Sequence, residues 1–110
     1  MTITSTRVGD ALVLRVTGRL DAVTSPDFEK TCQEYLTSDS RRIVMDFEGV
    51  EYISSAGLRA ILLAGKTVRA SGGVLGLSGL RGTVKKTLEM AGFCELFPVH
   101  DSIEAALEPR

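Results

Sequence analysis

The sequence is poor in the side chains that build metal centres and catalytic sites. It has two cysteines, Cys32 and Cys94, which stand far apart and in no Cys-x-x-Cys pattern, and one histidine, His100. A disulfide scaffold or zinc site needs more cysteines at closer spacing, and no Ser-His-Asp arrangement is visible. Neither GxGxxG nor GxxxxGK[ST] occurs, so no common nucleotide-binding loop is predicted. We therefore predict reduced cysteines, no metal, no cofactor and no enzymatic activity.

Long apolar runs and basic clusters are also absent. No stretch approaches the roughly 20 apolar residues of a membrane-spanning helix. Residues 1–10 lack the basic start and apolar core of a signal peptide. The formal net charge is -1, with 13 Lys and Arg against 14 Asp and Glu. Nucleic acids and anionic membranes bind concentrated positive surfaces, so neither is predicted as a partner, and we expect a cytoplasmic protein.

The apolar pattern predicts one α/β domain over residues 1–110. This length suits a single domain, and 44% hydrophobic and 25% charged residues are typical of globular proteins. Strands are predicted at 2–7, 11–17, 42–47, 74–78 and 96–99, and helices that begin near Ser25, Ser55–Leu58, Thr83 and Asp101. This alternation predicts a mixed, mostly parallel five-stranded sheet with four helices, in which the first two strands are antiparallel.

Capping residues predict where three of these helices begin or end. Ser25 and Pro26 are typical of an N-cap and a first helical residue. Asp101, with Glu104 three residues later, resembles a capping box. Gly92 predicts the end of the helix that begins near Thr83. The residues of that helix expected to face the core are Val84, Leu88 and Ala91.

The segment 44–62, VMDFEGVEYISSAGLRAIL, leads from a buried strand through a short acidic turn into an amphipathic helix. Ser54 and Ser55 stand at the N-terminus of that helix. Unpaired N–H groups and roughly half a unit of positive charge are present there. A serine in this place can cap the helix or carry a phosphate that the same groups stabilise. From the residues alone, capping is the ordinary interpretation and phosphorylation the alternative.

This segment resembles the signature of the STAS domain, in particular that of bacterial anti-sigma factor antagonists. In that signature a strand leads into Asp-Ser-Ser/Thr-Gly-Leu at the start of a helix. Residues 54–58, SSAGL, follow the pattern, with Ser54 where the family often has Asp and Ala56 where it often has Ser or Thr. The other landmarks of the family occur in order, namely residues 18–21 (GRLD), 72–73 (GG) and 91–93 (AGF). The resemblance covers essentially the whole chain and implies the STAS fold.

The resemblance implies partner switching. The unphosphorylated antagonist binds an anti-sigma factor that has serine kinase activity, phosphorylation releases it, and a PP2C-type phosphatase restores it. By position the acceptor is Ser55, with Ser54 as the alternative. The partner-binding residues implied are Asp21, Ser54, Ser55, Ala56, Gly57 and Arg59. Alternatives stay open for two residues, since Asp21 could merely cap a turn and Arg59 could be a solvated surface residue. An alternative also stays open for the whole domain, which could bind a small ligand or join a larger complex without phosphorylation.

Overall fold

The chain folds around a mixed five-stranded sheet. The computed structural model describes residues 1–36 and 41–108. The spatial order is β1-β2-β3-β4-β5, and only the β1–β2 pair is antiparallel. The strands are β1 (Thr2–Val8), β2 (Ala11–Leu20), β3 (Arg42–Ile53), β4 (Val74–Ser78) and β5 (Val99–His100). The described helices are α1 (Ser25–Leu36), α2 (Ser55–Ala70), α3 (Gly82–Met90), α4 (Phe93–Leu96) and α5 (Ile103–Ala106). The predicted α/β class and mixed sheet are confirmed, while residues 37–40 and 109–110 of the predicted domain range lie outside the described residues.

Most of the core lies on one face of the sheet. Successive strand residues point to opposite faces, so alternate positions of β2, β3 and β4 form one apolar surface. Helices α1 to α4 cover it, and its largest fully buried side chains include Phe28, Phe47, Leu14, Leu20, Met45, Ile61 and Leu88. On the opposite face, α5 covers a small cluster around Val13, Val44 and Ala106. None of the helices in the described part of the chain has the length and apolar character needed to cross a bilayer.

The prediction of four helices and of a strand at 96–99 was wrong near the C-terminus. Among the described residues there are five helices, because Phe93–Leu96 forms a single helical turn, and the last strand is only Val99–His100. Gly92 has a left-handed backbone (φ 80°) between α3 and this turn. Phe93 and Phe97, four residues apart, both bury their rings, with 5.7 Å between the ring centroids. Four-residue spacing of buried side chains is helical, and the packing of these rings favours a helical turn here.

Strands β2 and β3 extend past their predicted ends, and this extension positions the site described below. The acidic turn predicted after Phe47 is instead strand up to Ile53. β2 continues to Leu20 and supplies the backbone groups with which this part of β3 pairs. Two shifts in register, between Arg15 and Thr17 and between Gly18 and Arg19, each accommodate one extra residue on β3. The pairing between strands therefore overrides the turn preference of the local sequence.

Three local predictions were also wrong. Ser25 is the first residue of α1 rather than its N-cap, and its hydroxyl donates to the carbonyl of Asp21 at 2.5 Å. The N-cap of α5 is Ser102, whose Oγ accepts from the Ala105 N–H at 3.1 Å, instead of Asp101. Ala91 is exposed, because α3 ends at Met90 and Ala91 is its C-cap rather than a core-facing helical residue.

Candidate functional site

The predicted site residues meet at the carboxyl ends of β2 and β3. Leu20 and Ile53, the last residues of these parallel strands, are partners in the register. The Ser54 N–H donates to the carbonyl of Leu20 at 2.9 Å, so the loop after β2 and the start of α2 lie side by side. This edge of an α/β sheet is where functional sites generally form, because loops after neighbouring strands converge there.

The two adjacent serines have different environments. Ser54 is the N-cap of α2, with an extended backbone, and its Oγ accepts from the Gly57 N–H at 3.3 Å. Its side chain is half-buried. Ser55 is the first helical residue and is exposed, and within the described residues its hydroxyl makes no hydrogen bond. The Ser54 hydroxyl therefore caps the helix, whereas the Ser55 hydroxyl is open to solvent.

Gly57 holds the first turn of α2 against the end of β2. It is buried, and a Cβ at this position would lie 2.5 Å from the carbonyl oxygen of Leu20 and 3.1 Å from Cγ2 of Ile53. The first distance is shorter than any ordinary contact and involves backbone, which cannot rotate away. Only glycine therefore allows this close approach, while Ala56 beside it is half-buried. Gly57 shapes the site by positioning the two serines rather than by presenting a side chain.

Asp21 organises the loop that follows β2. Its Oδ1 accepts from the N–H groups of Val23 at 3.0 Å and Thr24 at 3.1 Å. In return, Thr24 Oγ1 accepts from the Asp21 N–H at 3.0 Å, an arrangement like a capping box. The hydrogen bond from the Thr24 N–H is the main cause that lowers the pKa of Asp21, and the nearby Arg19 also contributes. Asp21 thus has the turn-capping role that the sequence left as an alternative.

Arg19 and Tyr52 extend the site along the sheet, and the sequence analysis identified neither. They are register partners on β2 and β3, and the Arg19 guanidinium carbon lies 4.4 Å from the centroid of the Tyr52 ring. Nε of Arg19 is also 3.6 Å from Oδ2 of Asp21, which is the one ion pair among the described residues. The sequence signal was the place of Arg19 within the GRLD segment and of Tyr52 just before SSAGL, but their contact depends on the strand register.

Two further charged residues, Arg59 on α2 and Asp46 on β3, differ in their surroundings. Arg59 is exposed one turn after Ser55, and no described residue forms an ion pair with it. Asp46 is remote from the serines, in the middle of β3, where its Oδ1 accepts from Ser78 Oγ at 3.0 Å. Hydrogen bonding within the sheet therefore accounts for Asp46. In the described ranges no group of three or more His, Cys, Asp or Glu side chains could hold a metal ion.

Known proteins share both the sequence pattern and this architecture. The STAS domain family profile matches residues 2–106. A Bordetella bronchiseptica protein named as an anti-sigma factor antagonist, BtrV, is 34% identical over 106 residues, which is 96% of this chain and 91% of that protein. The crystal structure of a Thermotoga maritima protein, also named as an anti-sigma factor antagonist, has a TM-score of 0.88 and 24% identity, covering 96% of this chain and 91% of the other.

A third neighbour has been solved in two states of modification. The anti-sigma factor antagonist SpoIIAA of Bacillus, in its phosphorylated form, is 19% identical with a TM-score of 0.71, over 94% of this chain and 96% of that chain. Its unphosphorylated form gives a TM-score of 0.70. The structural neighbours show the fold, and the family profile together with the Bordetella relative shows the family. The chain therefore belongs to the STAS domain family and has the fold of anti-sigma factor antagonists.

Proposed function

We propose that the chain is an anti-sigma factor antagonist that works by partner switching. In its unphosphorylated form it binds an anti-sigma factor that has serine kinase activity, through the surface around Ser55. The kinase transfers the γ-phosphoryl group of ATP to the Ser55 hydroxyl, which loses its proton, and ADP leaves. The phosphorylated chain then dissociates. A PP2C-type phosphatase hydrolyses the phosphoserine to serine and inorganic phosphate and so restores binding.

The observation that supports Ser55 as the acceptor is the contrast between the two serines. The Ser54 Oγ already accepts the Gly57 N–H and is half-buried at the helix start. Ser55 is exposed, and its hydroxyl has no hydrogen-bond partner among the described residues. A kinase needs an accessible hydroxyl that can enter its active site without unfolding the substrate. Phosphorylation of Ser54 would first break the cap of α2, so we place Ser55 ahead of the alternative.

The helix N-terminus explains how the fold can tolerate the modification. A phosphate adds about -1.5 to -2 charges at neutral pH, and the positive end of a helix dipole stabilises negative charge. The first turn of α2 contains no acidic residue that would repel it. The Ser55 hydroxyl makes no hydrogen bond to a described residue that the phosphate would have to replace, so we expect the folded structure to persist.

The same charge is costly in the complex. A dianion buried against groups that meet a neutral hydroxyl loses its hydration, which costs several kcal/mol unless a cation lies opposite. A loss of about 3 kcal/mol weakens binding by more than a hundredfold. A modification that leaves the fold intact can therefore release the partner.

The names of the relatives support this function. Both the Bordetella relative and the Thermotoga neighbour are named as anti-sigma factor antagonists. SpoIIAA, a more distant neighbour, has been solved both with and without its phosphate. In this proposal the chain is the substrate of the kinase and phosphatase and is not itself an enzyme. Because sigma factors act on RNA polymerase, the proposal assigns the chain to the cytoplasm.

A small-ligand module has less support. The groove between α1 and α2, lined by residues that include Cys32, Leu36, Ala60 and Ala64, has a volume of about 220 Å³. Sites for drug-sized ligands usually hold roughly 300–1,000 Å³. A larger depression of about 380 Å³ lies between the N-terminus and α1, but charged and polar side chains such as Asp27, Lys30 and Glu34 form most of its lining.

The test is phosphorylation by the anti-sigma factor kinase of the native host, with the site determined by mass spectrometry. Wild type and Ser54→Ala should gain one phosphate on Ser55, whereas Ser55→Ala should gain none and stay bound to the kinase in the presence of ATP. Ser55→Asp should remain folded and bind at least tenfold more weakly. Ser71→Ala, which removes an exposed hydroxyl at the other end of α2, is the control and should behave as wild type. Phosphate on Ser54 in the Ser55→Ala variant, or undiminished binding by Ser55→Asp, would overturn the proposal.

A further inference from the structure

Two arginines flank the serine pair, and their contacts differ. Arg19 packs on the Tyr52 ring and pairs with Asp21, so its guanidinium is already engaged. Arg59 is exposed and has no ion-pair partner among the described residues. One positive side chain near Ser55 is therefore held in place, and the other is available to a new negative charge.

The directions of the two side chains also differ. Leu20 is buried and contacts Gly57 of α2, so its neighbour on the strand, Arg19, points to the opposite face of the sheet from α2. Arg59 is on α2 itself, four residues after Ser55. Residues at this spacing are neighbours on a helix surface, with roughly 5–6 Å between Cβ atoms, within reach of an arginine side chain. The acid-first order, with the cation toward the C-terminus, is the favourable one.

On these grounds we propose that Arg59 is the intramolecular counter-ion of a phosphate on Ser55. In the unmodified protein its guanidinium extends into solvent beside the serine and is available to a partner carboxylate. Once Ser55 is phosphorylated, the guanidinium binds the phosphate oxygens within the same helix. Phosphorylation then changes the surface twice, because a dianion appears and the outward-facing cation is neutralised. This inference rests on the proposed function for its role in switching, but the contact itself can be tested without a partner.

The experiment uses the full chain with phosphoserine incorporated genetically at position 55, so no kinase is needed. ³¹P NMR titration measures the second pKa of the phosphate, which is about 6 for an ordinary phosphoserine. A neighbouring guanidinium favours the dianion and lowers this pKa, so Arg59→Gln should raise it by about 0.15–0.4 pH units. Arg59→Lys should preserve most of the lowered value. Arg19→Gln and Lys66→Gln are matched charge controls and should change the phosphate pKa by less than about 0.1 pH units.

The outcomes separate this inference from the proposed function. An unchanged phosphate pKa in Arg59→Gln, or a larger change in Arg19→Gln, would refute Arg59 as the counter-ion even if Ser55 is the acceptor. The expected pattern would support the contact even if the native kinase modifies another residue. Circular dichroism of each variant checks that α2 is intact, so that a shifted pKa cannot come from a frayed helix.

Discussion

Replacement of Ser54 by alanine tests the division of roles between the two serines. The change removes the oxygen that accepts from the Gly57 N–H. Loss of a serine N-cap typically costs about 1 kcal/mol, within a range of roughly 0.5–2 kcal/mol. The bond is 3.3 Å long, slightly beyond the usual range for N–H···O bonds, which favours the lower part of that range. Gly57 is buried, however, and a donor left unsatisfied away from water costs about 1–3 kcal/mol.

The long bond favours a small loss of stability, and the buried N–H donor favours a larger one. We therefore expect Ser54→Ala to lower the free energy of unfolding by about 1 kcal/mol. Urea denaturation followed by circular dichroism measures this, with an unchanged m-value showing that the surface exposed on unfolding is the same. The corresponding decrease in Tm is about 4 °C for a domain of this size. Ser54→Asp restores an acceptor and adds a negative charge at the helix N-terminus, so it should be at least as stable as wild type.

Ser55→Ala is the matched control for this series. Its hydroxyl is exposed and makes no hydrogen bond to a described residue, so its removal should change the stability by no more than about 0.5 kcal/mol. A loss of about 1 kcal/mol in Ser55→Ala, together with no loss in Ser54→Ala, would show that the capping assignment is reversed. The argument for Ser55 as the accessible acceptor would then fail with it.

Three further changes test the packing around the site. Ile61 is fully buried, so Ile61→Ala should lower the free energy of unfolding, measured in urea, by about 2–5 kcal/mol. Leu63 is 40% exposed, and an equal loss of stability in Leu63→Ala would show that α2 is rotated relative to the core. Gly57→Ala should destabilise by about 1–3 kcal/mol because its Cβ would meet the Leu20 carbonyl, and a stability equal to wild type would refute that close approach. Burial raises the pKa of the Cys32 thiol to about 12, so a thiol reagent at pH 8 should modify it only after unfolding. Since the folded state then keeps a proton that the unfolded state loses, stability should fall as the pH rises from about 9 to about 12, and Cys32→Ala should remove that part of the pH dependence.

Local patterns predicted the class of the fold and the identity of the family. Alternating apolar segments and helical periodicity indicate α/β structure because each reflects only which side of one element is buried. The SSAGL and GRLD segments each consist of consecutive residues, so their resemblance to the family is visible in the sequence without knowledge of contacts between distant residues. The same segments predicted that Ser54 and Ser55 stand at a helix N-terminus, as they do.

Features that depend on pairing between distant segments could not be predicted in this way. Residues 48–53 contain a glycine and two acids, which favour a turn, yet they form a strand because β2 pairs with four of the six, namely Gly49, Val50, Tyr52 and Ile53. The one-turn helix at Phe93–Leu96 depends similarly on two rings that the core accommodates. In both places the tertiary contacts outweigh a local preference that is worth at most about 1 kcal/mol.

The candidate site shows the same division between local and distant information. The order of residues along the chain was enough to mark Ser54 and Ser55 as the pair that matters, because caps and phosphate sites both depend on one helix start. Which serine has a free hydroxyl depends on the path of the first turn of α2, which Gly57 holds against Leu20. The stacking of Arg19 on Tyr52 likewise depends on a strand register between residues 33 positions apart. Hydrogen bonds and side-chain contacts between distant segments form only once the chain has folded. For that reason the sequence could mark the two serines but could neither divide their roles nor identify the contact between Arg19 and Tyr52.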